Sequence, residues 1–208
     1  MSSNNFLPLA LFLIICLTLE SSPVVSASLR HHLLPHISHI QRTSDVQDTS
    51  LIQKACHGVG DSESDCLSTL ESAAPHQKND PNGLAFFTLR FVEDHAANLS
   101  FRIKKFAVTP DLPPALQSTL SDCMDQYNPV DDLIEDAINA VLANVYSDAE
   151  KFIDAAIANI MACDTQIKSI HFDENSGEES TGMAKDLSES NGFSKKMLFA
   201  AFNILRSQ

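Results

Sequence analysis

The chain has 208 residues, with 14 Lys and Arg against 27 Asp and Glu for a formal charge of −13, and 44% of its residues are hydrophobic. That length allows one ordinary domain with a tail, the hydrophobic content supports a core rather than wholesale disorder, and the acidic balance argues against nucleic acid or an anionic membrane surface as the main partner. Six Gly residues fall well below the ~7% of an average chain, which weighs against Gly-rich phosphate loops and tightly turned β-sandwiches.

Residues 1–27 read as an address. Leu7 to Leu19 is an apolar run of 13 residues, short for a membrane span and suited to the core of a signal peptide. Val25-Ser26-Ala27 puts small residues at the expected cleavage point, although the segment before the apolar run lacks Lys and Arg. Removal of Glu20 with this segment would leave a mature charge of −12. No later run is long and uncharged enough to cross a membrane. Residues 28–50 form a polar leader, expected to be flexible. Its His31, His32, His36 and His39 are irregularly spaced, interrupted by Pro35 and without interleaved Cys or acids, a poor metal-ligand pattern.

Cys16 would leave with the signal peptide, so four cysteines remain: Cys56, Cys66, Cys123 and Cys163. An even number in a secreted chain implies two disulfides with three possible connectivities. The spacing favours a short loop, Cys56–Cys66, and a long one, Cys123–Cys163. Around the first pair, residues 51–80 read as two short helices joined at His57-Gly58-Val59-Gly60-Asp61-Ser62 and clipped into a hairpin.

From Gly83 onward the chain turns periodic. Ala85, Leu89, Val92, Ala96, Leu99, Ile103 and Phe106 alternate at spacings of four and three, the seam of a helix packed in a bundle. Asp111-Leu112-Pro113-Pro114 ends that helix. Leu116, Leu120, Cys123, Tyr127, Val130, Ile134, Ala137 and Val141 then continue the alternation through Pro129, which either kinks one helix or restarts a second. Ser147-Asp148-Ala149-Glu150 has the form of a capping box and would open a third helix with Phe152, Ala156, Ile160, Cys163, Ile167 and Ile170 on one face. A polar loop from His171 to Gly182 leads to a last helix, from about Met183 to Leu205. The turn near Asn144–Ser147 lies about midway between Cys123 and Cys163, so an antiparallel hairpin would set the two cysteines level. The expected fold is all-α: an antiparallel four-helix bundle over 83–206 behind the clipped hairpin, as one domain over 51–206.

Catalytic patterns are absent: there is no G-x-S-x-G, H-E-x-x-H, Walker loop, EF-hand loop or C-x-x-C. His95 reads as a surface or core-edge residue rather than a base. Asp131, Asp132, Glu135 and Asp136 read as the solvated face of a helix start, where negative charge suits the dipole, rather than as an acid–base pair. No cofactor or metal is expected. Asn98-Leu99-Ser100 is a glycosylation sequon. Residues 112–166 hold ten acids and one base, Lys151, a local balance of −9. That excess is either an ordinary solvated surface or a docking face for a cationic partner.

Over roughly 51–206 the chain resembles the plant invertase and pectin methylesterase inhibitor family. Ile52-x3-Cys56 followed by Cys66-x3-Leu70 resembles the family's hairpin, and Cys123-x3-Tyr127 its third-cysteine motif. Cys163 sits where the fourth cysteine falls, and Ser190-Asn191 after Leu187 resembles the last-helix motif. The resemblance implies a secreted, apoplastic, non-enzymatic protein whose second disulfide joins the two middle bundle helices. Such a protein would occupy the substrate cleft of one target enzyme with a face of the bundle. For a pectin methylesterase target it implies contact through the helices of the third and fourth cysteines, with Asp122, Asp125, Asp132, Asp136, Lys151, Phe152 and Asp154 as candidates. For an acid invertase it implies a Pro-Lys-Phe tripeptide at the turn between those helices, where this chain has Glu150-Lys151-Phe152 with Glu replacing Pro. Two Thr positions usual in pectin methylesterase inhibitors are Ala158 and Ala162 here, and the hairpin's usual Thr is replaced by His57-Gly58-Val59-Gly60. A family member that binds or stores without inhibiting is the reading from a different class.

Overall fold

The computed structural model describes residues 51–172 and 177–208. The expected signal peptide, the polar leader with its four His, and residues 173–176 lie outside the described residues.

The hairpin forms as its sequence directs. Residues 51–56 are helical, and Gly58 and Gly60 take positive φ of 80° and 78°, a region open to Gly at little cost. A short 3-10 turn, Gly60–Ser62, leads into α1 (Glu63–Glu71). Cys56 and Cys66 are bonded across that turn, with Cα atoms 5.7 Å apart. The hairpin is anchored to the end of the chain by the Asn203 side chain, whose Nδ2 donates to the Ala55 carbonyl at 3.0 Å.

A short α2 (Pro75–Lys78) precedes the first long helix, α3 (Pro81–Ala107). That helix starts two residues before the Gly83 expected from periodicity. Asp80 caps it by accepting from the Gly83 N–H at 2.8 Å, and Pro81 occupies the first helical position, both favoured there because the first-turn N–H groups lack partners. Of its seam, Ala85, Leu89, Val92, Ala96, Leu99 and Ile103 are buried, while Phe106 packs on the core from its edge.

The next seam runs through two helices, α4 (Pro114–Tyr127) and α5 (Val130–Leu142). Pro129 has no N–H to give, so the helical ladder stops for two residues. Asn128 and Pro129 nevertheless keep right-handed backbone, at φ −53°, ψ −43° and φ −85°, ψ −8°. The register therefore survives the break, and all eight expected seam residues from Leu116 to Val141 are buried.

The third column is α6 (Tyr146–Lys168). The capping box expected at Ser147 does not form: the helix starts one residue before it, the N-cap is Val145, and no side chain caps the end. The turn is made instead by Asn144 at φ 58°. Its Oδ1 accepts from Asn82 Nδ2 and from the Tyr146 hydroxyl, each at 2.9 Å, tying the start of α3 to the α5–α6 turn. The core stripe of α6 is Ala149, Ile153, Ala156, Ile157, Ile160, Cys163 and Ile167, and Phe152, expected on the seam, sits half-buried beside it. Ile153 fills the core position in its place, in register with Ala149, Ala156, Ile160, Cys163 and Ile167.

The last helix, α7 (Glu178–Arg206), begins five residues before the expected Met183. Gly177 at φ 73° turns the chain in, and Glu178 and Glu179 in the first turn suit the positive end of the helix dipole. The main packing runs α3 against α4, α5 and α7, and α6 against α4, α5 and α7. This is a four-cornered bundle with α3 and α6 on one diagonal. Cys123 and Cys163 are bonded across α4 and α6, with Cα atoms 4.7 Å apart. No strand occurs among the described residues, and no described helix is long and apolar enough to cross a membrane.

Candidate functional site

The ten acids of residues 112–166 are not equivalent once folded. Asp164 is buried: its Oδ1 accepts from the Ser188 hydroxyl at 2.7 Å and its Oδ2 from Lys168 Nζ at 2.6 Å. Asp148 pairs with Lys151 at 2.7 Å and Glu150 with Arg206 at 3.7 Å. Asp131 lines a cleft against α3, and the Glu135 charge reaches Arg90 of α3, helping with Glu93 and Asp94 to raise the pKa of that guanidinium, whose largest contribution is its hydrogen bond to Glu93.

Five acids remain, Asp122, Asp125, Asp132, Asp136 and Asp154. All are exposed, and none makes an ion pair among the described residues. The first four follow at steps of three, seven and four along α4 and α5, a spacing that keeps them on one side of a helix. The continuous register through Pro129 lets the stripe cross the break. Asp154 stands on the adjacent α6, in an exposed row with Lys151, Ala158 and Met161. Of the three helices carrying these residues, α4 and α6 are locked together by Cys123–Cys163. The result is a rigid face of uncompensated negative charge with small and apolar side chains alongside, which can dock on a cationic surface with little ordering cost.

The Glu150-Lys151-Phe152 tripeptide does not lie in the α5–α6 turn. It sits in the second turn of α6, with Lys151 exposed but held by Asp148, and Phe152 half-buried against the core. Ala158 is exposed and Ala162 half-buried on the same helix.

A buried polar layer lies behind the face, and sequence reasoning gave no hint of its connectivity. Tyr127 of α4 donates to Asn191 Oδ1 of α7 at 2.6 Å, and Asn191 Nδ2 donates to Cys163 Sγ of α6 at 3.5 Å. Burial, helped by the Asp164 charge, raises the Tyr127 pKa above the ordinary tyrosine value. The signal available in the sequence was the Tyr and Asn at the two family-like motifs. On the α3–α7 side, His95 lies at the core edge against Phe91 and Phe193, with ring centroids 6.4 and 5.3 Å away. Burial, then the charge of Arg102, lowers its pKa against the opposing effect of a hydrogen bond to the Ser190 backbone. Among the described residues, no three His, Cys, Asp or Glu side chains gather where they could hold a metal ion.

The family model of plant invertase/pectin methylesterase inhibitors matches residues 50–199. No curated protein matches the chain. A mutant form of a pectin methylesterase inhibitor from Arabidopsis has a similar structure: TM-score 0.53, 16% identity, covering 73% of this chain and 95% of that one. A second crystal structure, of a pectin methylesterase inhibitor from Arabidopsis thaliana, aligns with a TM-score of 0.44 and 18% identity over 73% of this chain and 95% of that one. The first of these likenesses supports the fold, and the match over most of the described bundle places this chain in the plant invertase/pectin methylesterase inhibitor family.

Proposed function

We propose that this chain is a secreted, apoplastic inhibitor of cell-wall pectin methylesterase that covers the substrate cleft of its target, in a one-to-one complex, with the exposed faces of α4, α5 and α6. The observation that carries this reading is the stripe Asp122, Asp125, Asp132 and Asp136 along α4 and α5, with Asp154 beside it on α6, where Cys123–Cys163 clamps α4 to α6. Such a field steers a cationic partner and orients it before contact. Lys151 and Phe152 border the same face. The test is direct. Purified protein should slow pectin demethylation and leave sucrose hydrolysis by acid invertase untouched.

The invertase reading has one observation in its favour, the exposed Lys151 side chain at 73%. It requires residues 150–152 to enter a cleft, yet they are wound into α6 and two of the three carry ion pairs. If invertase is inhibited and Lys151→Ala abolishes that inhibition, this reading replaces the first. Absence of inhibition of either enzyme across acidic pH would leave a non-inhibitory bundle, with Ala158 and Ala162 as the first positions to restore to Thr.

A further inference from the structure

The docking face leaves the sequon Asn98-Leu99-Ser100 of α3 unused. Leu99 is buried in the bundle seam at 1% exposure, and Asn98 is turned outward beside Phe101, which is 67% exposed. Residues three apart on a helix are surface neighbours. Phe101 also borders a cleft of about 300 Å³ between α3 and the α4–α5 break, lined by Ala97, Ser100, Lys104, Asn128 and Asp131. An aromatic ring this exposed, next to an open cleft with polar walls, matches the amphipathic surface of a sugar, which has apolar C–H faces and hydroxyl edges.

We propose that Asn98 carries an N-linked glycan whose first sugar lies against Phe101 and the mouth of this cleft. The donor is a lipid-linked oligosaccharyl pyrophosphate. A bond forms from Asn98 Nδ2 to the sugar C1 as the bond from C1 to the pyrophosphate oxygen breaks. The lipid pyrophosphate leaves, and the amide proton passes to a base of the transferase. The helix also sets the timing. Two residues along α3 are about 200° of rotation, so Asn98 faces solvent while Ser100 turns into the cleft. The sequon needs both side chains presented together, so transfer precedes formation of α3. Because α3 stands on the diagonal from α6, the glycan projects away from the α6 side of the docking face. The proposal rests on residues 1–27 delivering the chain to the secretory lumen.

The full chain translated in the presence of microsomes tests each part. A protease-protected product with a single endoglycosidase-sensitive mobility shift, lost in Asn98→Gln and in Ser100→Ala, is the expected result. A protected product without the shift overturns the site, and an unprotected product overturns the site together with the reading of residues 1–27. Folded protein made without glycan in a bacterial host, with Asn98 intact, offered to detergent-solubilised transferase should remain unmodified while the same chain, reduced and unfolded, is modified. Equal modification of both would overturn the timing. Removal of the whole glycan by an amidase, first sugar included, should raise binding of an apolar dye several-fold, and the rise should vanish in Phe101→Ser. An unchanged rise in that variant would overturn the contact with the ring.

Discussion

The Tyr127 hydroxyl donates to Asn191 Oδ1 at 2.6 Å in the interior of the bundle, joining α4 to α7. The same Asn191 amide reaches Cys163 Sγ on α6. One asparagine therefore ties three of the four columns at the level of the long disulfide. Tyr127 is 3% exposed and Asn191 1%, so a lost partner cannot be replaced by bulk water. Tyr127→Phe leaves Asn191 Oδ1 without its donor and should destabilise the fold by ~1–3 kcal/mol, with a smaller loss when Asn191→Leu is added to it. Chemical denaturation of the two variants measures this, and a single variant as stable as the parent would show that the bond contributes nothing.

The two disulfides should contribute unequally. They close loops of 40 and 10 residues, so chain entropy predicts losses of ~4 kcal/mol for Cys123→Ser with Cys163→Ser and ~3 kcal/mol for Cys56→Ser with Cys66→Ser. The first pair also locks the docking face, whereas the second clips a hairpin outside it. Inhibition should therefore weaken more than stability explains only in the first double variant, measured at a temperature where both variants are folded.

Gly83 should resist a change that helices usually welcome. Gly to Ala inside a helix gains up to ~1 kcal/mol from propensity. Here an added Cβ would stand 2.9 Å from Gln77 Cα and 3.1 Å from its carbonyl oxygen, and those are backbone atoms of α2 that cannot swing aside. Gly83→Ala should lower stability by ~1–3 kcal/mol as α2 is forced off α3, and a thermal midpoint at or above the parent's would refute the contact.

Acidification should loosen the α3–α7 interface. Burial first, then Arg102, disfavours the charged form of His95 in the folded protein, so its folded pKa lies below its unfolded value. The unfolded chain then binds the proton more readily, and this contribution to stability is present above the unfolded pKa of ~6.5 and lost as pH falls from there through the lower folded pKa. The midpoint of thermal unfolding should drop between about pH 7 and 5, and less steeply in His95→Phe. Identical slopes in the two proteins would remove His95 from the account.

Docking through the acidic stripe makes a kinetic prediction. Asp→Asn at Asp122, Asp125, Asp132 and Asp136 should slow association with the target by ~10-fold or more at low salt and flatten its dependence on ionic strength. The dissociation rate should change less. An association rate indifferent to both salt and these substitutions would separate inhibition from the charge.

The bundle was legible because burying an apolar face is a periodic demand, and periodicity is visible in one dimension. Every expected seam residue of α4 and α5 is buried, even across Pro129, because a break that keeps right-handed backbone does not change the register. Helix ends were less legible. Asp80 and Gly177 open α3 and α7 through caps and a positive φ, which interrupt no hydrophobic pattern. The capping-box sequence at Ser147 was overridden once Asn144 found partners on Asn82 and Tyr146, one of them 62 residues away.

The sequence by itself determined the helical class, the core stripes, the cysteine framework and an acidic middle region of the chain. Each is a property of residue type and spacing along one strand of text. Only the tertiary structure decided which charges matter. It buried Asp164 behind Ser188 and Lys168, set the exposed Asp131 at the edge of a cleft against α3, and left Asp122, Asp125, Asp132, Asp136 and Asp154 exposed and outside any ion pair among the described residues. A carboxylate's effect depends on the solvent and partners around it, and those come from helices distant in sequence that packing brings together.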